Sequence, residues 1–136
     1  MSASTIKNLS LAALLVVLTA SMASAQTYWF ETYETAVDKI EAQEQAQMEE
    51  ALELLGELVA ERPVPQSKMR VPGDRLIDYL PYFQKARVEM ALGRYDDARK
   101  SMDASEAFQE VRGNSQAMEA LREMRGTLDT RVAAQR

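Results

Sequence analysis

The chain has 136 residues, 46% hydrophobic and 27% charged, with 16 basic and 21 acidic side chains and neither histidine nor cysteine. Such proportions suit one globular domain and fit poorly with a disordered, collagen-like or multidomain chain. Without Cys and His there is no disulfide, no thiol nucleophile, no thiolate metal site and no imidazole base; with no D-x-D-x-D-G calcium loop or P-loop either, neither a metal nor a cofactor is expected.

Residues 1–25 read as a secretory signal peptide. Lys7 supplies a thin positive start, residues 9–20 form an apolar run, and Ala23-Ser24-Ala25 is the small-x-small pattern that signal peptidases accept. Cleavage after Ala25 would release residues 26–136 as an exported, periplasmic or secreted, domain. The alternative is an uncleaved membrane anchor on a structural or assembly component. Lys7 and Glu31 bracket 23 uncharged residues, and about 20 suffice to span a bilayer. The mass of the exported protein separates the two readings.

The remainder is expected to be all-α. No run of alternating Val, Ile, Thr or aromatic residues follows the leader, so no strand is predicted. Tyr33, Val37, Ile40, Met48, Ala51, Leu55 and Leu58 recur mostly at helical spacing. Glu44 interrupts that stripe and suggests a turn within residues 42–47, although no Gly or Pro marks it. Residues 32–60 are therefore either one long helix or a hairpin. Pro63 and Pro65 stop the pattern, and residues 62–75, with Pro72 and Gly73, read as a long Pro-rich loop.

Pro81 suits a first helical turn, and Tyr82, Ala86, Val88 or Glu89, and Met90 lead to a tight turn at Gly93. Ala98, Met102, Ser105 and Val111 carry the next helix to Gly113. Asn114 can cap a last helix over residues 114–133, with a stripe of Ala117, Leu121, Met124, Leu128 and Val132. Tyr28, Trp29, Phe30 and Tyr33 make an aromatic cluster that either packs on the bundle or docks a partner or membrane surface.

Met48-Glu49-Glu50-Ala51 and Tyr95-Asp96-Asp97-Ala98 echo each other 47 residues apart. Tyr82, Ala86, Gly93, Tyr95 and Ala98 have the order large, small, glycine turn, aromatic, alanine. In this the segment resembles a tetratricopeptide (TPR) helix–turn–helix, and residues 48–63 are similar to the second helix of another. Ala86 and Ala98 would be the small residues through which paired helices touch. Ser105 departs from the family's usual Ala, and Glu110 from its repeat-ending Pro. The resemblance implies a TPR-like stack of antiparallel helical hairpins. Its parts would be a first repeat at 26–61, the Pro-rich loop at 62–75, a second repeat at 76–112 and the capping helix.

Proteins of that kind bind peptides or protein surfaces and seldom catalyse. By resemblance, Leu80, Phe83, Arg87, Met90 and Ala91 would face the groove. Phe83 occupies a position where carboxylate-gripping members carry a polar residue, so that clamp is not expected.

Charge is unevenly spread. Residues 26–61 hold ten acids against Lys39 alone, whereas residues 62–136 hold 14 bases and 11 acids. A solvated acidic face explains this. So would a homodimer in which one copy's acidic helices meet the other's Arg62, Lys68, Arg70 and Arg75, an attraction that salt would weaken. The acidic balance and the lack of a basic-aromatic surface argue against nucleic acid. Glu49-Glu50 and Asp96-Asp97 are adjacent on helices and diverge, and no P-loop, G-x-S-x-G or H-E-x-x-H motif occurs. The expectation is a non-catalytic adaptor or scaffold that binds a protein or peptide.

Overall fold

In a computed structural model, residues 29–136 are described. The signal-peptide reading of residues 1–25, and Tyr28 of the aromatic cluster, fall outside them. Among the described residues five helices and two strands occur in order: α1 (Trp29–Glu41), α2 (Gln45–Glu61), β1 (Gln66–Val71), β2 (Arg75–Tyr79), α3 (Pro81–Ala91), α4 (Tyr95–Phe108) and α5 (Ser115–Ala134). A unit boundary falls between Glu31 and Thr32, so Trp29, Phe30 and Glu31 belong to α1 only as its first turn. The Trp29 and Phe30 rings meet edge-on at 6.1 Å.

The first helical stretch is a pair, not one long helix. α1 ends through Ala42 N–H, which donates to Asp38, and Gln43 N–H, which donates to Ile40. Gln43 takes φ +58, a left-handed conformation usually left to glycine. Lys39 then reaches across the turn to Gln47 at 3.0 Å and Glu50 at 2.6 Å. On α2 the buried side chains are Met48, Ala51, Leu55 and Leu58, spaced three or four apart as a one-sided helix requires.

The all-α expectation fails between residues 62 and 79. Most of the Pro-rich loop, and the start of the stretch assigned to the second repeat, form an antiparallel hairpin. In it Met69 pairs with Ile77, Arg70 with Leu76 and Val71 with Arg75. Pro72-Gly73-Asp74 make its tip, where Gly73 and Asp74 take φ +89 and +54. Pro fixes one turn residue, and Gly then accepts the positive φ. The register slips between Gln66 and Met69, around Lys68 at φ +50, a β-bulge. Lys68 N–H therefore donates sideways to Asp78 Oδ1 at 2.8 Å. Val71 and Tyr79 are buried, and the Tyr79 hydroxyl donates to the Arg62 carbonyl at 2.8 Å.

α3 is the central helix, packed on α2, α4 and α5. Pro81 opens it, and a Schellman turn closes it: Gly93 at φ +74, Gly93 N–H to Met90 O, and Arg94 N–H to Glu89 O. No sheet intervenes between α3 and α4. Ala86 and Ala98 are wholly buried in one cluster with Leu80, Phe83, Met102, Val111, Ala117, Leu121 and Leu128. α4 ends with Gln109 at φ +53 in place of a glycine. Asn114 caps α5, its side-chain oxygen accepting from Ala117 N–H at 3.0 Å. Arg125 of α5 binds Asp103 and Glu106 of α4, and those two carboxylates hold its guanidinium firmly ionised.

Gly56 lies exposed in the middle of α2, and a Cβ built there meets nothing within 4 Å. Gly56→Ala is expected to stabilise the protein by about 0.5–1 kcal/mol, the helix-propensity difference. A urea unfolding midpoint that does not rise would show that this backbone is not an ordinary helix.

Candidate protein-binding groove

Two adjoining cavities run along one side of α3. The larger, about 710 Å³, is walled by α1 (Tyr33, Glu34, Val37, Asp38), β2 (Arg75, Ile77, Asp78), the start of α3 (Leu80, Phe83, Gln84, Arg87) and the start of α5 (Asn114, Gln116, Ala117, Ala120). The smaller, about 450 Å³, continues past Arg87 and Ala120, which line both, to Ile40, Met48, Met90, Ala91, Tyr95 and Met124. Its floor carries three methionines, whose flexible thioethers adapt to varied guests. Glu123 and Arg131 stand at its margin with opposite charges.

The hairpin closes one end of the larger cavity because its second strand is fastened at both sides. Arg75 grips Glu34 of α1 with two N–H groups, at 2.7 and 3.3 Å, and this carboxylate raises its already high pKa further. Asp78 Oδ2 accepts from the Asn114 amide at 3.2 Å. On the opposite wall Arg87 spans Gln84 at 2.9 Å and Glu41 at 2.8 Å. Its guanidinium lies 5.9 Å from the Phe83 ring centre, within reach of a cation–π attraction.

The start of α3, which supplies the apolar floor, has no capping side chain of its own. Its amides are met from elsewhere. Leu80 N–H donates to the Tyr33 hydroxyl at 3.2 Å, and Phe83 N–H donates to Glu110 Oε1. Burial pushes the Tyr33 phenol up from its ordinary pKa, so it stays neutral; its ring meets Tyr79 edge-on at 5.2 Å.

Glu110 is buried, and burial pushes its carboxyl up to about 7 against the pull of the Ser105 hydroxyl and the Phe83 and Tyr82 amides. Ser105 Oγ lies alongside, yet neither it nor Glu110 Oε2 completes a well-formed hydrogen bond. The two departures from the repeat pattern, Ser for Ala and Glu for Pro, are thus neighbours in space. A second buried carboxyl, Glu89, accepts from Ser101 Oγ between α3 and α4 and is also pushed up, chiefly by burial.

Of the residues singled out in the sequence, Leu80, Phe83, Arg87 and Arg75 line the larger cavity, and Arg87, Met90 and Ala91 the smaller. Arg70 belongs to neither: it projects from β1, 77% exposed, 3.7 Å from Asp74 at the hairpin tip. Asp78, and Asn114 in any part beyond capping the last helix, are not legible as lining residues in the sequence, because the strand that carries Asp78 falls where the loop and the start of the second repeat are expected. Arg75 also answers part of the charge asymmetry within the chain, where a second copy had been a candidate to receive it. No group of acidic residues among those described could hold a metal ion, and no described helix is long and apolar enough to cross a membrane. Comparison of the chain with protein-family models, curated proteins and solved structures finds no match.

Proposed function

We propose that this protein is a non-catalytic, exported adaptor of TPR-like build that holds a segment of another polypeptide in the groove along α3. One observation carries the reading. Residues picked out by resemblance, from a helix read in isolation, line two adjoining cavities that share Arg87 and Ala120. Together the cavities have the size of a site for a few side chains. Their mixture of apolar floor and ion-paired rim suits a protein surface better than a small metabolite.

The test is a cross-linking pull-down from the native envelope or secretome, with the unaltered chain beside Ala120→Trp and Arg87→Glu. Ala120 is half-buried at the saddle between the cavities, so an indole there blocks the passage. Arg87→Glu turns an attraction for Glu41 into a repulsion. Both variants are expected to keep their helical content; Ala120→Trp should lose the captured partner, and Arg87→Glu, which reverses a charge lining both cavities, should alter its capture. An identical set of partners with all three proteins would end the adaptor reading. Export is read separately, from loss of residues 1–25 in the mass of the secreted protein.

A further inference from the structure

We infer that the groove selects a segment bearing a lysine or arginine beside apolar side chains; this rests on the groove being the binding surface. Once the walls have paired among themselves, negative charge is left over. Arg75 is taken by Glu34 at 2.7 Å and Arg87 by Glu41 at 2.8 Å, so neither guanidinium is spare for an anionic guest. Asp38 and Asp78 line the same cavity from facing elements, α1 and β2, and neither has a cationic partner among the described residues.

Asp78 accepts from the Lys68 amide and the Asn114 side chain. These neutral donors fix the carboxylate in place and leave its charge uncompensated. Asp38 stands exposed one helical turn beyond Glu34. The same cavity is lined by apolar Val37, Ile77, Leu80, Phe83 and Ala117, beside the polar Tyr33, Gln84 and Gln116.

A cation seated there would meet two unbalanced carboxylates while its aliphatic stem lay on the apolar lining, as long basic side chains do. A guest carboxylate or a phosphate would face the same two charges and be repelled, which counts against an acidic peptide or an anionic membrane surface. Beyond Arg87 the methionine-lined cavity has room for an apolar side chain of the same segment. The preferred motif is therefore a basic residue with an apolar neighbour on one side.

A phage-displayed library of random twelve-residue peptides, panned on the purified chain, tests this. The enriched peptides would then be synthesised and titrated at low and high salt. They are expected to carry Lys or Arg next to apolar residues and to lose binding to Ala120→Trp. They should bind Asp38→Lys about tenfold more weakly and with less salt sensitivity, as for a charge at an interface rim. Binders that Ala120→Trp blocks but that are acidic or uncharged would overturn the selectivity and leave the groove standing. A dimer seen in sedimentation and dissociated by Ala120→Trp would replace the guest with a second copy and overturn it equally. No binder sensitive to Ala120→Trp, with no such dimer, would remove both the selectivity and the groove.

Discussion

Replacing Glu110 by glutamine is expected to raise the melting temperature above pH 7 and to flatten the dependence of stability on pH. In the unfolded chain this carboxyl has its ordinary value near 4.5, whereas in the folded protein burial holds it at about 7. Between those values the native state keeps a proton that the unfolded state releases, so stability falls as pH rises through the window. The interval corresponds to about 3 kcal/mol, fully lost once the pH exceeds the folded value. Glutamine removes the titration, keeps an oxygen for Phe83 N–H, and offers an N–H to the unpaired Ser105 hydroxyl. Urea midpoints of both proteins from pH 4 to 9 provide the check. Glu89, pushed in the same direction, should leave the variant a smaller residual slope. Parallel curves for the two proteins would show that Glu110 does not titrate inside the fold.

Ala98→Leu should cost about 2–3 kcal/mol. Ala98 and Ala86 have no exposed surface and share the cluster where α3 meets α4. Three further heavy atoms there force the helix axes apart or drive neighbouring side chains off their preferred rotamers. Because α3 also forms the groove floor, partner capture should fall along with stability. Thermal unfolding followed by circular dichroism reads the first effect and the pull-down reads the second. A melting temperature within about a degree of the parent would mean that the contact has slack, contrary to the tight packing usual in cores.

The helices were legible because their spacing is regular and most of their ends are marked. Ala51, Leu55 and Leu58 recur as one buried face, Gly93 and Asn114 sit where the chain must turn, and Ala86 and Ala98 announce a close approach. The turn after α1 was half visible: Glu44 broke the stripe, but the residue that takes the left-handed conformation is Gln43, which carries no such signal. Gln109 does the same after α4. The hairpin was missed for a different reason. Its strands are short and mostly exposed, with charges on both alternating faces (Arg75 beside Ile77, Asp78 beside Leu76), so they lack the apolar alternation of a half-buried strand. The available sign was Pro72-Gly73 between Lys-Met-Arg-Val and Arg-Leu-Ile-Asp-Tyr, a turn signal between two β-compatible runs. With it went Asp78, and the larger cavity acquired a wall that no helix-only reading could supply.

The amides at the start of α3 are answered by Tyr33 and Glu110, which lie 47 and 27 positions from the groups they serve. A helix that borrows both caps cannot mature before its lenders arrive, one from each side along the chain. Repeat arrays commonly melt module by module, since each unit leans only on its immediate neighbours. Here the lending ties the first helix, the middle pair and the turn behind them into a single cooperative block, so the protein should come apart all at once.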